Sequence, residues 1–338
     1  MSDGNIDSIL IVSFGGPEKP DDVLPFLRNV TKGRNIPDDR LAEVGEHYMD
    51  FGGRSPINDQ ARALIEALRD ELVKSSLDLP IYWGNRNWDP FLADTLREME
   101  ADGRRQAIAF VTSAYSSYSG CRQYREDIER ARLEVGVGAP NVEKIRQFYN
   151  HPGFIEPMVR NTKAALDLLP EEGRAGARVV FTAHSIPQTM GDTSRYEAQL
   201  REVAELIVER LDDPHRWDVV YQSRSGPPSV PWLGPDICDH LETLHADGFD
   251  GVVMVPIGFV SDHMEVIYDL DTEAMAKAAE LGMSVTRAAT VGIDPQFVRA
   301  IRELIVERLD GSAMRSALGL TGPVGCLGEH CCPPPSRA

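Results

Sequence analysis

The sequence predicts an α/β fold in which parallel strands are wound with helices on both sheet faces. Three observations carry this expectation. Short apolar runs rich in β-branched residues recur along the chain: SILIVSF at 8–14, IYWGNR at 81–86, AIAFVTSAY at 107–115, VVFTAHS at 179–185, VVYQSR at 219–224 and VVMVPIGFV at 252–260. Continuous apolar runs fit strands buried on both faces, whereas a half-exposed strand would alternate. Amphipathic stretches lie between them, Phe91 to Ala101, Gln123 to Glu134, Tyr196 to Leu211 and Pro295 to Leu309, and these fit crossover helices. The third observation is the run Leu168-Leu169-Pro170-Glu171-Glu172-Gly173-Arg174-Ala175-Gly176, the densest cluster of turn residues near the middle, which separates two similar strand-helix series.

With 338 residues the chain is too long for one small core, so two lobes are expected. The boundaries read from the sequence are 1–160 for the first lobe and 161–312 for the second. Beyond them lies a tail, 313–338, rich in Gly, Pro and Cys and without periodicity. A composition of 42% hydrophobic and 26% charged residues is ordinary for a globular protein. No apolar run approaches the roughly 18 residues of a membrane span, and MSDGNIDS lacks the basic-then-apolar start of a secretory signal. A water-soluble, cytoplasmic protein with reduced thiols and no stable membrane insertion is expected. The formal charge of −18 opposes nucleic acid phosphates, and no basic stripe offsets it. The acidic surplus can concentrate cations near the surface or simply keep the protein in solution.

Ligands of open parallel sheets bind outside the carboxyl ends of the strands. At those ends stand Gly15-Gly16-Pro17, Ser113 to Tyr118, His184, Gln222 and Pro256 to Phe259. His184 is a candidate base or metal ligand, since a neutral imidazole accepts protons near neutral pH and coordinates divalent ions. Downstream, Glu265, Asp269 and Glu273 recur at a spacing of four, which places three carboxylates along one helix face. Such a stripe is either a solvated surface or a path of oxygen ligands for a cation, and equally an exit for protons. No phosphate-binding loop is present, because Gly136-Val137-Gly138-Ala139-Pro140 precedes a strand instead of following one.

Three separated motifs, FTAHSIP at 181–187, YQSRSGPPSVPWLGPDI at 221–237 and PIGFVSDHMEVIYDLD at 256–271, together with FGGRSPIN at 51–58, resemble the ferrochelatase family over nearly the whole chain. The resemblance implies two Rossmann-like, flavodoxin-like lobes with the active cleft between them. It implies an enzyme that inserts Fe2+ into a porphyrin, with His184 and Glu265 facing each other across the macrocycle. His184 is expected to accept the pyrrole protons and face the metal with Glu265 as its carboxylate partner, although the sequence does not order the two roles. Asp269 and Glu273 are assigned to the metal or proton path. Where firmicute-type relatives carry a metal-contacting tyrosine, this chain has Phe14, which offers no oxygen and is expected to pack on the macrocycle.

The segment HYMDFGGRSPIND is polar, unlike the apolar lip of relatives that take protoporphyrin IX from a membrane. Coproporphyrin III, with four propionates, is the expected substrate, and protoporphyrin IX the alternative. Lys32, Arg34, Tyr48, Ser55 and Tyr124 fall at or near propionate-contact positions of coproporphyrin-using relatives. Arg54 is added from its charge and place. Some family members bind a [2Fe–2S] cluster through one internal and three C-terminal cysteines, which here implies Cys121, Cys326, Cys331 and Cys332. A reduced tail or a zinc site remains open, while Cys238 is expected to be a core thiol. A monomer is the default expectation for an enclosed bilobed cleft, and the resemblance implies a transient handover of product to a downstream coprohaem-processing enzyme. Two other readings stay open, a cobaltochelatase of the same fold and a non-catalytic porphyrin or haem carrier.

Overall fold

The computed structural model describes residues 5–33, 36–311, 315–323, 325 and 331–334. By their contacts these fall into two compact units. The first comprises 1–112, 123–145 and 301–313, the second 113–122, 146–300 and 314–338. The boundary expected near 160 falls inside a helix, Pro152–Asp167, that lies wholly in the second unit.

In the first unit four parallel strands, β1 (Ser8–Ser13), β2 (Ile81–Asn85), β3 (Gln106–Val111) and β4 (Asn141–Lys144), form a sheet in the order β2-β1-β3-β4. Its helices are α1 (Val23–Val30), α2 (Asp38–Met49), α3 (Ile57–Lys74), α4 (Leu92–Ala101) and α5 (Gln123–Val135). Leu10, Val12, Ala107 and Ala109 of the central strands pack with Leu96 and Met99 of α4 and Ile128 of α5. This explains the unbroken apolar runs, since β1 is buried along its whole length.

The second unit repeats the plan. Strands β5 (Arg178–His184), β6 (Trp217–Gln222), β7 (Gly251–Val255) and β8 (Ser284–Arg287) are parallel in the order β6-β5-β7-β8. Its helices are α6 (Pro152–Asp167), α7 (Glu171–Arg174), α8 (Gln188–Asp192), α9 (Tyr196–Val208), α10 (Ile237–Ala246), α11 (Met264–Ile267) and α12 (Met275–Leu281), with a π-helical turn, Asp269–Ala274, between the last two, while α13 (Pro295–Leu309) has residues 295–300 in this unit and 301–309 in the first. In both sheets the strand order reverses between two central strands, β1 and β3 or β5 and β7, and the crevice outside the carboxyl ends of such a pair is where open sheets bind ligands.

Strand β4 enters the sequence-based reading only as the unbounded strand that follows Pro140, and β8 is absent from it, because NVEK and SVTR hold no apolar run, each residue being half-buried. Short polar strands suit sheet edges. Two expected strands also run too long. AIAFVTSAY stops being a strand at Val111, and VVMVPIGFV at Val255. In the second case Pro256 removes a ladder donor, the Ile257 amide turns back to the Val255 carbonyl at 2.8 Å, and the Gly258 amide bonds the Thr182 carbonyl at 3.0 Å. A Cβ on Gly258 would lie 2.6 Å from Ala183 Cα, so only glycine lets this loop cross so close to the end of β5.

Candidate active site

His184 is the last residue of β5, and its backbone is tied from two sides. Gln222 pairs with it in the sheet register, and the Tyr196 hydroxyl donates to its carbonyl at 3.0 Å. Its Nδ1 meets the Ser185 carbonyl oxygen, which fixes Nδ1 as the donor and turns Nε2 outward. There Nε2 lies 3.4 Å from Glu265 Oε1. The two residues sit at the carboxyl ends of β5 and the β7 loop, the switch point of this sheet.

Glu265 lies in α11, which begins only after the loop Pro256–His263 that follows β7. Its second oxygen, Oε2, is 3.4 Å from His263 Nε2, so one carboxylate is flanked by two imidazoles. The His263 ring sits edge-on to Phe259, centroids 4.8 Å apart, and its Nδ1 is buried with no hydrogen-bond partner among the described residues. The sequence reading passes over His263, although its place two residues before Glu265 in a motif of strand-end chemistry is a signal.

These contacts divide the charges. Burial works to lower the His184 pKa, but the Glu265 carboxylate, the Ser185 carbonyl and Asp269 outweigh it, and the net shift is upward. His263 moves downward because burial outweighs the Glu265 carboxylate beside it. Burial would raise Glu265, yet the two histidines, His184 first, hold it at about 2. Glu265 keeps 41% side-chain exposure, so water reaches the pair.

Asp269 follows in the π-helical turn and accepts a hydrogen bond from the Ser223 hydroxyl. Burial pushes its carboxyl up to about 7. Ser223 opposes that rise, while Glu265 and Glu273 add to it. Ser223 adopts φ +60, a left-handed conformation that is costly for a residue with a side chain and tends to cluster at functional sites. Glu273 is exposed. Gln222, at the end of β6, donates its side-chain amide to the Glu265 carbonyl. The second unit thus gathers His184, Glu265, His263 and Asp269, with Glu273 leading to the surface.

The expected porphyrin contacts that fall among the described residues lie in the first unit. Phe14 packs edge-on against Phe26, centroids 6.2 Å apart, and Phe26 meets Tyr48 at 6.0 Å and Trp88 at 6.3 Å. Phe14 and Tyr48 therefore share one half-buried aromatic cluster. Ser55 is buried against Gly16, its Oγ accepting from the Ile57 amide at 3.4 Å. Tyr124 is buried in the core between α4 and α5, with the Arg86 guanidinium 3.6 Å above its ring. Lys32 is exposed, and Arg54 is exposed and paired with Asp59. Arg34 lies outside the described residues.

Of the cysteines, Cys121 is buried in a π-helical turn, Tyr118–Arg122, and the Gln147 amide donates to its Sγ at 2.9 Å. The Cys331 and Cys332 sulfurs are 3.6 Å apart, helped by φ +50 at Cys332. Cys326 lies outside the described residues. Among the described residues no three His, Cys, Asp or Glu side chains stand in a metal-holding arrangement, neither the cysteines in view nor the group around His184 and Glu265. Cys238 is half-buried against the second core, and burial pushes its thiol up to about 12.

Comparison with known proteins places this architecture first in a class. SirB from Bacillus subtilis, solved with Fe3+, superposes with a TM-score of 0.57 over 91% of this chain and 98% of that one, at 14% identity. CbiX, the terminal enzyme for biosynthesis of siroheme in denitrifying bacteria, gives 0.53 over 90% and 100%, at 15% identity. At such identities the likeness establishes the fold alone, that of the chelatases. Sequence goes further. The ferrochelatase family model matches residues 7–309, and the chain belongs to the ferrochelatase family. It is 56% identical to the coproporphyrin III ferrochelatase of Streptomyces griseus subsp. griseus, over 97% of this chain and 93% of that one. It is 54% identical to a ferrochelatase of Rhodopirellula baltica, over 94% and 90%.

Proposed function

We propose that this chain is a metal chelatase that inserts Fe2+ into coproporphyrin III, giving Fe-coproporphyrin III (coprohaem) and two protons, with His184 and Glu265 carrying the step. The observation that carries the residue assignment is the approach of His184 Nε2 to Glu265 Oε1, 3.4 Å, at the sheet's switch point. The substrate follows from relatives named for coproporphyrin III at 50–56% identity.

Two pyrrole N–H protons must leave as the ferrous ion enters, and the macrocycle shields its nitrogens. His184, with Nδ1–H engaged, offers the Nε2 lone pair as acceptor for one proton at a time. Glu265, ionised across the working range, stabilises the imidazolium that results, which releases its proton to solvent before the second transfer. Asp269, poised at about 7, takes up and releases protons at neutral pH, and Glu273 leads them to solvent. The same oxygens present hard ligands to an incoming Fe2+. Lys32, Arg34, Tyr48, Arg54, Ser55 and Tyr124 are assigned to the four propionates and Phe14 to the face of the ring.

A [2Fe–2S] cluster on Cys121, Cys326, Cys331 and Cys332 belongs to the same proposal. It is supported by the amide donor on Cys121 Sγ, a bond type that tunes cluster potentials, and by the closeness of the tail sulfurs. No step of the chelation runs through it. The protein is further proposed to act as a cytoplasmic monomer that passes coprohaem to a downstream processing enzyme. Among the described residues no helix is long and apolar enough to cross a membrane.

The test is an anaerobic absorbance assay of the full chain with Fe2+ and either coproporphyrin III or protoporphyrin IX, preceded by a spectrum of the protein alone. Conversion of coproporphyrin III, reduced about 10²- to 10⁴-fold in His184→Ala, supports the proposal, and visible bands beforehand with matching iron and sulfide content support the cluster. Faster conversion of protoporphyrin IX overturns the substrate, and porphyrin binding without conversion points to a carrier.

A further inference from the structure

The residues that face the metal in the reading above sit on an unusual piece of backbone. Between Asp262 and Asp271 the chain forms a helix of four residues, Met264–Ile267, that passes into the π-helical turn beginning at Asp269. So short a helix cannot maintain itself, and π turns are rare without a tertiary reason. Val266 and Leu270 anchor the segment to the core, but apolar contact is not directional. Its rotation and pitch must be set by directional contacts.

Those come from the two edge strands of the sheet. From β6, Gln222 bonds the Glu265 carbonyl and Ser223 bonds Asp269. From β8, on the other edge, Arg287 spans the segment. Its Nε and Nη2 fork onto the two carboxylate oxygens of Asp271, the Nη2 contact being 2.9 Å, and its Nη1 reaches Asp262 Oδ1 and the Ala288 carbonyl, both at 3.2 Å. The side chain is only 17% exposed. All three guanidinium nitrogens are used, and the two carboxylates they hold bracket His263, Glu265 and Asp269.

We infer that Arg287 is a positioning residue for the metal-handling segment, fixing the placement of His263, Glu265 and Asp269 by clamping Asp262 and Asp271 from the edge strand. The inference rests on the roles proposed above for Glu265 and Asp269. Arg287 itself touches neither of them. Its planar fork is what the geometry needs, and a lysine, with one charged point, would not reproduce it.

The experiment compares the full-length wild type with Arg287→Gln, Arg287→Lys and Asp271→Asn. Fe2+ and coproporphyrin III are varied independently, and Co2+ binding without porphyrin is measured by calorimetry. Arg160→Gln, which removes an ion pair with Asp294 elsewhere in the same unit, serves as control. Groups bonded directly to metal ligands tune metal sites by about 10- to 100-fold, and Arg287 acts one contact further out, so Arg287→Gln is expected to lower kcat/KM for Fe2+ and Co2+ affinity by about 10-fold, with KM for the porphyrin within about 2-fold of wild type. Arg287→Lys should recover little, and Arg287→Gln combined with Asp271→Asn should cost no more than the worse single change. A folded Arg287→Gln protein with wild-type Fe2+ kinetics and Co2+ affinity overturns the inference, as does full recovery by lysine. If Arg287→Gln does not fold, Asp271→Asn, nearly isosteric, answers by the same readouts. A wild type without turnover overturns the proposed function instead, and Co2+ affinity then still decides on Arg287.

Discussion

His184 stands between two opposed influences. Burial favours the neutral ring, while the Glu265 carboxylate favours the imidazolium, and the carboxylate prevails. Replacing Glu265 by Gln removes the charge but keeps the shape, so burial then dominates and the His184 pKa is expected to fall below the roughly 6.5 of free imidazole. NMR titration of the His184 ring protons in both proteins measures this, and an unchanged value would mean that the pair is not coupled. In the wild type the proton acceptor must be neutral, so kcat/KM is expected to rise with pH through a pKa above that of free imidazole. Both members of the pair are legible in the sequence, His184 as a strand-end imidazole and Glu265 as the head of an acidic stripe. His263 is signalled only by its place two residues before Glu265, and its approach to the second Glu265 oxygen is what distinguishes it from an ordinary buried histidine.

At the scale of the element, the acidic stripe explains its own helix type. Glu265, Asp269 and Glu273 each stand one residue before a buried apolar residue, Val266, Leu270 and Ala274, and Ala278 continues that spine. Both rows repeat every four residues, whereas an α-helix turns in 3.6, so on a regular helix they would drift off the core face. The wider π turn, closed by the Glu273 amide on the Tyr268 carbonyl at 2.9 Å, takes up the excess and keeps the spine inside and the carboxylates beside it. The spacing is readable in the sequence, but the turn that accommodates it is not.

Far from these carboxyl ends, Asp218 near the start of β6 accepts Arg178 Nε and Nη2 at 2.5 and 2.9 Å and faces His240 Nε2 at 3.1 Å, joining β6 to β5 and α10. Burial would raise its carboxyl, but the His240 and Arg178 bonds hold it far below the usual range. With the folded pKa below an unfolded value of about 3.9, this stabilisation is fully present above that pH and is lost as pH falls toward the folded value. Asp218→Asn should therefore lower stability at pH 7 by about 1.5–3 kcal/mol. In denaturant titrations that difference should shrink steadily below pH 4, and a gap independent of pH would rule out the charge as its source.

For the molecule as a whole, a formal charge of −18 acts oppositely on the two proposed substrates. It attracts Fe2+ and repels a porphyrin bearing four propionates. Raising ionic strength from about 0.01 to 0.15 M shortens the screening length from roughly 30 to 8 Å. The expected outcome is a fall in kcat/KM for Fe2+ and a rise for coproporphyrin III in initial-rate measurements with an inert salt. If neither constant moves, the acidic surplus serves solubility alone.

The sequence by itself determined the parallel-strand plan and the family, and it singled out His184 and Glu265 as the candidate pair. Central strands are buried on both faces and so must be written as continuous apolar runs, and reactive side chains gather at their carboxyl ends. Tertiary structure alone decided the edge strand β8 and the bounds of β4, whose polar sequences carry no pattern, the division of the chain into its two units, and the π turn. It also decided that Arg287 holds Asp262 and Asp271 and that Phe14 shares a cluster with Tyr48. The reason is common to all of these. Periodicity records what one element buries, whereas these features depend on directional contacts between residues distant along the chain, which exist only once the sheet has brought them together.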